Sequence, residues 1–223
     1  MVTGNHEIAD DAQPFIKWVG GKRQLLDRIV PRMPVEYNTY HEPFLGGGAV
    51  FFEERPRRAY LNDINRQLVS CYQAVKVAAD NVIRAVSAID SEYANTPDDE
   101  KKGFYYDRRA EFNELVSSKS DDDTKIASLF LFLNRHCFNG LYRVNRKGLF
   151  NVPFNGSKGG SFSEKTIRAD SIALRRATIM NGDFIEALTR VQPGDFCFID
   201  SPYAPLNPTS FESYAKEGFT EEQ

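Results

Sequence analysis

The longest periodic stretch of the chain runs from Ile64 to Ile89. Ile64, Leu68, Tyr72, Val75, Ala79, Val82, Ile83, Val86 and Ile89 recur mostly at three- and four-residue intervals. That is the spacing of a helix with one buried face. A charged linker over residues 94–102, around Pro97, leads to a second helical stretch at about 104–116. Asp121-Asp122-Asp123-Thr124 opens a third, with acids at the positive end of its dipole, and it stays apolar through Leu133. Shorter helical patterns cover about Arg23 to Val30 and about 164–175. Between them lie short apolar runs with strand character: Tyr40-His41-Glu42, Ala59 to Asp63, a run ending Met180-Asn181-Gly182-Asp183-Phe184, and Phe196 to Ile199. Strands that alternate with helices predict an open α/β sheet.

One segment breaks that alternation. Asn134 to Phe154 holds two β-like runs, Leu141–Val144 and Leu149–Val152, joined by Asn145-Arg146-Lys147-Gly148. This is a hairpin pattern with a basic, glycine-containing tip. Phe138, Tyr142, Phe150 and Phe154 alternate there with Arg135, Arg143, Arg146 and Lys147. A narrow basic hairpin can enter a DNA major groove, where an arginine bonds a guanine edge bidentately. Residues 155–163 then form a Gly/Ser loop.

Charge changes the picture through its distribution rather than its sum. The net charge is -3, yet residues 135–176 carry nine Lys/Arg against two Asp/Glu, while the flanking segments are acidic. A basic segment in an acidic chain is the footprint of a phosphate-binding face. The 41% hydrophobic content is that of a globular protein, and no run approaches a bilayer span. Residues 1–13 are polar, without the apolar core of a signal peptide, and read as a flexible tail. Cys71, Cys137 and Cys197 are widely separated, which argues against a disulfide framework or a zinc site. The expectation is a metal-free cytoplasmic protein.

The candidate chemistry gathers at strand ends. Gly46-Gly47-Gly48 follows the first strand and lets backbone approach a ligand closely. Asp63 ends the second, where a carboxylate can accept hydrogen bonds from ribose hydroxyls. Asp183 is a third acid at a strand end, and Asp200-Ser201-Pro202-Tyr203 follows the last strand. Gly20-Gly21-Lys22 stands before a helix and can present N–H groups and a cation to an anion, although Arg23 occupies the hydroxyl position of a P-loop.

These motifs, in this order, resemble the Dam-type adenine-specific DNA methyltransferases, which place Lys-Trp-x-Gly-Gly-Lys and the Gly-rich motif before the recognition region and Asp-Pro-Pro-Tyr after it. The likeness covers about residues 15–222. It implies a Rossmann-like sheet dependent on S-adenosyl-L-methionine, with a mostly helical DNA-recognition domain inserted. The catalytic domain would comprise residues 14–65 and 164–223, and the recognition domain 66–163 with its hairpin at 134–154. Carried over by residue, the resemblance assigns Trp18, Lys22, Phe44, Gly46, Gly48, Asp63, Asp183, Phe184 and Asp200 to the cofactor. Asp200, Ser201, Pro202 and Tyr203 would be catalytic. On double-stranded DNA, Lys17 would contact the first guanine of GATC, and Leu141 and Pro153 the thymine. Arg143 would bond the guanine opposite cytosine. Phe138 and Asn139 would hold the opened base step, and Arg146 and Lys147 complete the basic tip. Relatives of this kind serve restriction-modification, replication marking or phage.

The chain departs from the pattern twice. Ser201 replaces the motif's first proline, which removes a fixed φ and restores an N–H. Family members also continue beyond the position of Gln223, so further C-terminal strands are expected to be missing: either the chain is a fragment or a partner closes the sheet, and without such a partner a monomer is expected. Other classes stay open on the residues: a catalytically weak DNA- or cofactor-binding homologue, or a methyltransferase acting on RNA or on a protein amide.

Overall fold

The computed structural model describes residues 11–202. Tyr203 and the segment after it lie outside the described residues. Four parallel strands form one sheet: β1 (Tyr40–Glu42), β2 (Ala59–Asp63), β3 (Ala177–Asn181) and β4 (Phe196–Cys197), in the order β3-β2-β1-β4. Tyr40 faces both Ala59 and Phe196, and Asp63 faces Asn181. β1 and β2 are buried almost throughout, as parallel strands covered on both faces must be.

Seven helices complete the described chain: α1 (Leu26–Ile29), α2 (Ala49–Glu54), α3 (Arg66–Asn95), α4 (Lys101–Ser117), α5 (Asp123–His136), α6 (Glu164–Leu174) and α7 (Phe184–Leu188). Their starts follow local chemistry. Asn65, Asp122, Ser163 and Asp183 each accept a hydrogen bond from an N–H of the first turn they cap. The amphipathic segment after Gly21 is less regular than its pattern predicts. It is one α turn between 3₁₀ turns at Lys22–Leu25 and Val30–Arg32, with Pro31 in the second.

The apolar stripe read from Ile64 to Ile89 is one helix, continued to Asn95. It breaks at Ala78 (φ -142°, ψ 40°), where neither proline nor glycine marks the site. Ser171 Oγ donates to Lys76 O close to that break. α3 packs along α5 and α6, and α4 packs on α5. One continuous cluster of buried residues joins the sheet to these helices, from Leu61 and Tyr72 to Phe112 and Phe132.

The hairpin is present but scarcely a ladder. Val144 bridges Phe150, and Cys137 bridges Phe154, as isolated antiparallel pairs. Side chains supply the missing register. Asn113 of α4 donates to Phe150 O and accepts from Phe150 N, at 3.0 and 2.8 Å. Tyr105 Oη and Arg109 both donate to Val152 O. At the tip, Asn145 Oδ1 accepts from Lys147 N and Leu149 N.

Candidate active site

Parallel strands deliver their C-terminal ends to one edge of a sheet. Glu42, Asp63 and Asp200 therefore meet around one cleft of about 210 Å³, although 158 residues of sequence separate the first from the last. Trp18, Lys22, Phe44, Gly46, Gly48, Asp183, Phe184, Ser201 and Pro202 line it as well. All nine residues assigned to the cofactor by sequence thus border a single cavity.

The floor is the turn after β1. Gly46 N donates to Asp63 Oδ2 at 2.9 Å, and Asn65 N donates to Asp63 Oδ1 at 2.9 Å. The carboxylate of β2 thereby holds both the glycine turn and the start of α3. Burial pushes the Asp63 carboxyl above its usual range, against the pull of those two bonds. Gly46 and Gly48 have φ of 48° and 65°, which other residues rarely adopt. A Cβ on Gly46 would stand 2.8 Å from Trp18 Cδ1, and one on Gly48 would stand 2.9 Å from the Tyr72 hydroxyl. Tyr72 Oη also donates to Gly46 O at 3.0 Å.

The wall toward β4 is charged. Lys22 Nζ donates to Asp200 Oδ2 at 2.5 Å and to Gly20 O at 2.9 Å. Both side chains of the ion pair are partly exposed, at 17% and 25%. The opposite side is apolar: Phe44 lies against Phe184 with ring centroids 5.1 Å apart, and the Ile64 side chain is 60% exposed beside them. Asp183 Oδ1 is engaged in capping α7 through Ile185 N at 2.8 Å.

The residues assigned to DNA occupy neighbouring surface. Lys17, Phe138, Asn139, Arg146, Lys147 and Pro153 are exposed; Leu141 and Arg143 are half-buried. Arg143 Nε donates to Asn151 Oδ1 at 2.7 Å, which fixes the guanidinium along the hairpin. Asn139 takes φ 56° in the short 3₁₀ turn Phe138–Gly140. Trp18 stacks on Tyr142, with centroids 5.3 Å apart and planes 26° apart, so the cleft and the hairpin share a wall.

The family model for D12 class N6 adenine-specific DNA methyltransferases matches residues 18–223. The chain belongs to this family. Type II methyltransferase M.MjaIII of Methanocaldococcus jannaschii is 39% identical over 224 residues, 95% of this chain and 76% of that protein. Type II methyltransferase M1.LlaDCHI of Lactococcus lactis is 39% identical over 214 residues, covering 94% and 72% respectively. The DNA adenine methylase of Escherichia coli K12 is 36% identical over 210 residues, again 94% of this chain and 72% of the relative. The chain is thus an adenine-specific DNA methyltransferase, and its reaction requires a methyl donor and DNA.

Two residues that line this methyltransferase's cleft, Glu42 and Asn62, and one that supports its glycine turn, Tyr72, are not singled out by the sequence pattern. Glu42 is 3% exposed, lines the cavity and accepts from Tyr40 Oη at 2.8 Å. Burial pushes its carboxyl up to about 8, with the nearby Asp200 charge adding to the shift. Asn62 is buried, donates to Pro43 O and Gly182 O, and keeps Oδ1 without a partner. Tyr72 lies on a helix whose pattern signals only core packing, yet its hydroxyl supports the glycine turn. The signal for Glu42 was available as an acid at a strand end. Those for Asn62 and Tyr72 were not, because their roles are defined by tertiary neighbours. Among the described residues, no cluster of His, Cys, Asp and Glu could hold a metal, and no helix is long and apolar enough to cross a membrane.

Proposed function

We propose that this methyltransferase takes its methyl group from S-adenosyl-L-methionine and delivers it to the exocyclic amino nitrogen of an adenine flipped out of double-stranded GATC. The observation that carries the reading is the meeting of Glu42, Asp63 and Asp200 at one cleft beside the basic hairpin. The donor set fits the cofactor. Asp63 stands where two ribose hydroxyls would find an acceptor. Glu42 is a buried acid that a cationic amino group would ionise, and Asn62 Oδ1 is an unused acceptor in the same wall. Phe44, Ile64 and Phe184 offer an apolar slot for a flat base, whose amino hydrogen Asp183 would accept.

When bound, the cofactor supplies an electrophilic methyl on its sulfonium. The chain's residues prepare the nucleophile. Adenine's amino nitrogen is weak because its lone pair is delocalised into the ring. Asp200 and the carbonyl of Ser201 can each accept one amino hydrogen, which localises that lone pair and aims it for in-line attack. The gain is positioning and electrostatics. Lys22 engages Asp200 through Oδ2, which leaves Oδ1 to accept the adenine amino hydrogen. The base has to leave the duplex to reach the cleft, at a cost of a few kcal/mol, and Tyr203 would stack on it.

Residues 66–163 would act as the recognition region and 14–65 with 164–223 as the catalytic one. The setting proposed is the cytoplasm of a prokaryotic cell, since the relatives come from Methanocaldococcus jannaschii and Lactococcus lactis. The test is transfer of labelled methyl groups to a GATC duplex, with recovery of N6-methyladenine on digestion. Label in another base, or retention of activity after removal of the Asp63 carboxylate, would contradict this assignment.

A further inference from the structure

Asn134 is a buried amide in the last turn of α5, 6% exposed. Its Oδ1 accepts from Lys17 N at 2.9 Å, and its Nδ2 donates to Lys17 O at 2.9 Å. Nδ2 also donates to Gly140 O at 3.0 Å. The exchange with Lys17 copies the two-way pairing of facing β residues, made here by one side chain. Both N–H groups and the carbonyl oxygen of the amide are engaged.

Two segments far apart in sequence are thereby tied together. Lys17 carries an exposed cation and precedes Trp18, which lines the cleft. Gly140 closes the Phe138–Gly140 turn at φ 64°. A Cβ on Gly140 would fall 2.5 Å from Lys17 Cδ and 2.8 Å from Lys17 Cβ, so the lysine stem lies directly on the turn. The hairpin begins one residue later, and its Tyr142 stacks on Trp18.

We propose that Asn134 is a positioning residue for target recognition. It sets Lys17 and the Phe138–Gly140 turn as one reading unit and couples that unit, through Trp18, to occupancy of the cofactor cleft. The inference rests on the reading of Lys17 and the turn as DNA contacts. A displacement of Trp18 on cofactor binding is transmitted to the Lys17 backbone, and through the Asn134 amide to Gly140 O. Cofactor and DNA then strengthen each other's binding, and linkage makes the factor the same in both directions. A buried amide that merely filled the core would lower stability without altering that factor.

The experiment compares the full chain with its Asn134→Ala and Asn134→Asp variants. Asn134→Asp keeps the acceptor for Lys17 N and loses the amide donors. Two quantities are read: kcat/KM on the duplex the wild type methylates best relative to a duplex with one pair changed, and the Kd of that best duplex with and without S-adenosyl-L-homocysteine. Both variants are expected to lose about five- to tenfold in discrimination and most of the cofactor-induced tightening. S-adenosyl-L-homocysteine binding in the absence of DNA should stay within about twofold of wild type. Unchanged discrimination and tightening in Asn134→Asp, with only a lowered melting temperature, would overturn the proposal. Lys17→Ala is measured beside them. If it weakens DNA binding while Asn134→Asp changes neither discrimination nor tightening, the proposal for Asn134 alone fails. If neither changes DNA binding, the reading of Lys17 as a DNA contact fails with it.

Discussion

Lys22 Nζ and Asp200 Oδ2 stand 2.5 Å apart, across 178 residues of sequence. One opens the 3₁₀ turn Lys22–Leu25 and the other follows the last described strand. The parallel sheet is what brings them together. Asp200→Ala is expected to reduce methyl incorporation by at least about a hundredfold, the scale of losing one preorganised polar group at a reacting centre. Lys22 is left partly exposed, so the stability cost should stay below about 1 kcal/mol. Circular dichroism and methyl incorporation on the same preparation check both halves.

Gly46 is constrained twice, by its φ of 48° and by Trp18 Cδ1 lying 2.8 Å from the position of a Cβ. Gly46→Ala therefore strains the turn by about 1–2 kcal/mol and pushes on the cleft wall. Titration calorimetry should show cofactor affinity lowered about tenfold, with helix content unchanged. Wild-type affinity would mean that the turn does not shape the site.

Arg143 reaches the hairpin surface with Nε held by Asn151. If its free N–H groups read a guanine, Arg143→Ala should cost about 1–3 kcal/mol at one base position and relax preference there. Methylation rates across single-substitution duplexes measure this. A uniform loss on every sequence would identify a phosphate contact instead.

Asp170 gives a pH signature remote from the chemistry. It is fully buried on α6, its Oδ1 accepts from Gln13 N at 2.9 Å, and Oδ2 has no partner. Burial pushes its carboxyl up to about 8. The folded state thus holds a proton that the unfolded chain releases near pH 4. Stability from this group is fully present below about pH 4 and is lost as pH rises through about 8. Urea midpoints should fall between pH 6 and pH 8, and Asp170→Asn should remove one share of that fall and leave the share of Glu42, whose carboxyl burial also pushes up to about 8. An equal slope in the variant would assign the pH dependence to other groups.

Much of this was legible in the sequence, for physical reasons. Ala59–Asp63 has the bounds expected of it, since a buried parallel strand needs an unbroken apolar run and ends where a polar ligand group begins. The stripe from Ile64 likewise announces α3. Its break at Ala78 carries no proline or glycine to reveal it. The Leu141–Val152 hairpin reads as two strands, but backbone bonds join them only at Asn145–Leu149 and Asn151–Arg143, while Asn113, Tyr105 and Arg109 hold Phe150 and Val152 from α4, and a partner 37 residues away leaves no local periodicity. The same limit hid Tyr72, whose hydroxyl serves a turn 26 residues before it. Glu42 differs: it stands as an acid at a strand end, a pattern that is local and readable.

On the proposed reading, this cleft and this hairpin together methylate adenine in GATC. The most direct measurement is incorporation from labelled S-adenosyl-L-methionine into two duplexes of equal composition, one containing GATC and one with those four bases scrambled. Label confined to the GATC duplex, recovered as N6-methyladenine, is the result this account predicts. Equal label in both would contradict the reading of the hairpin, and no label in either, with cofactor bound, would contradict the competence of the Asp200-Ser201 site as it stands.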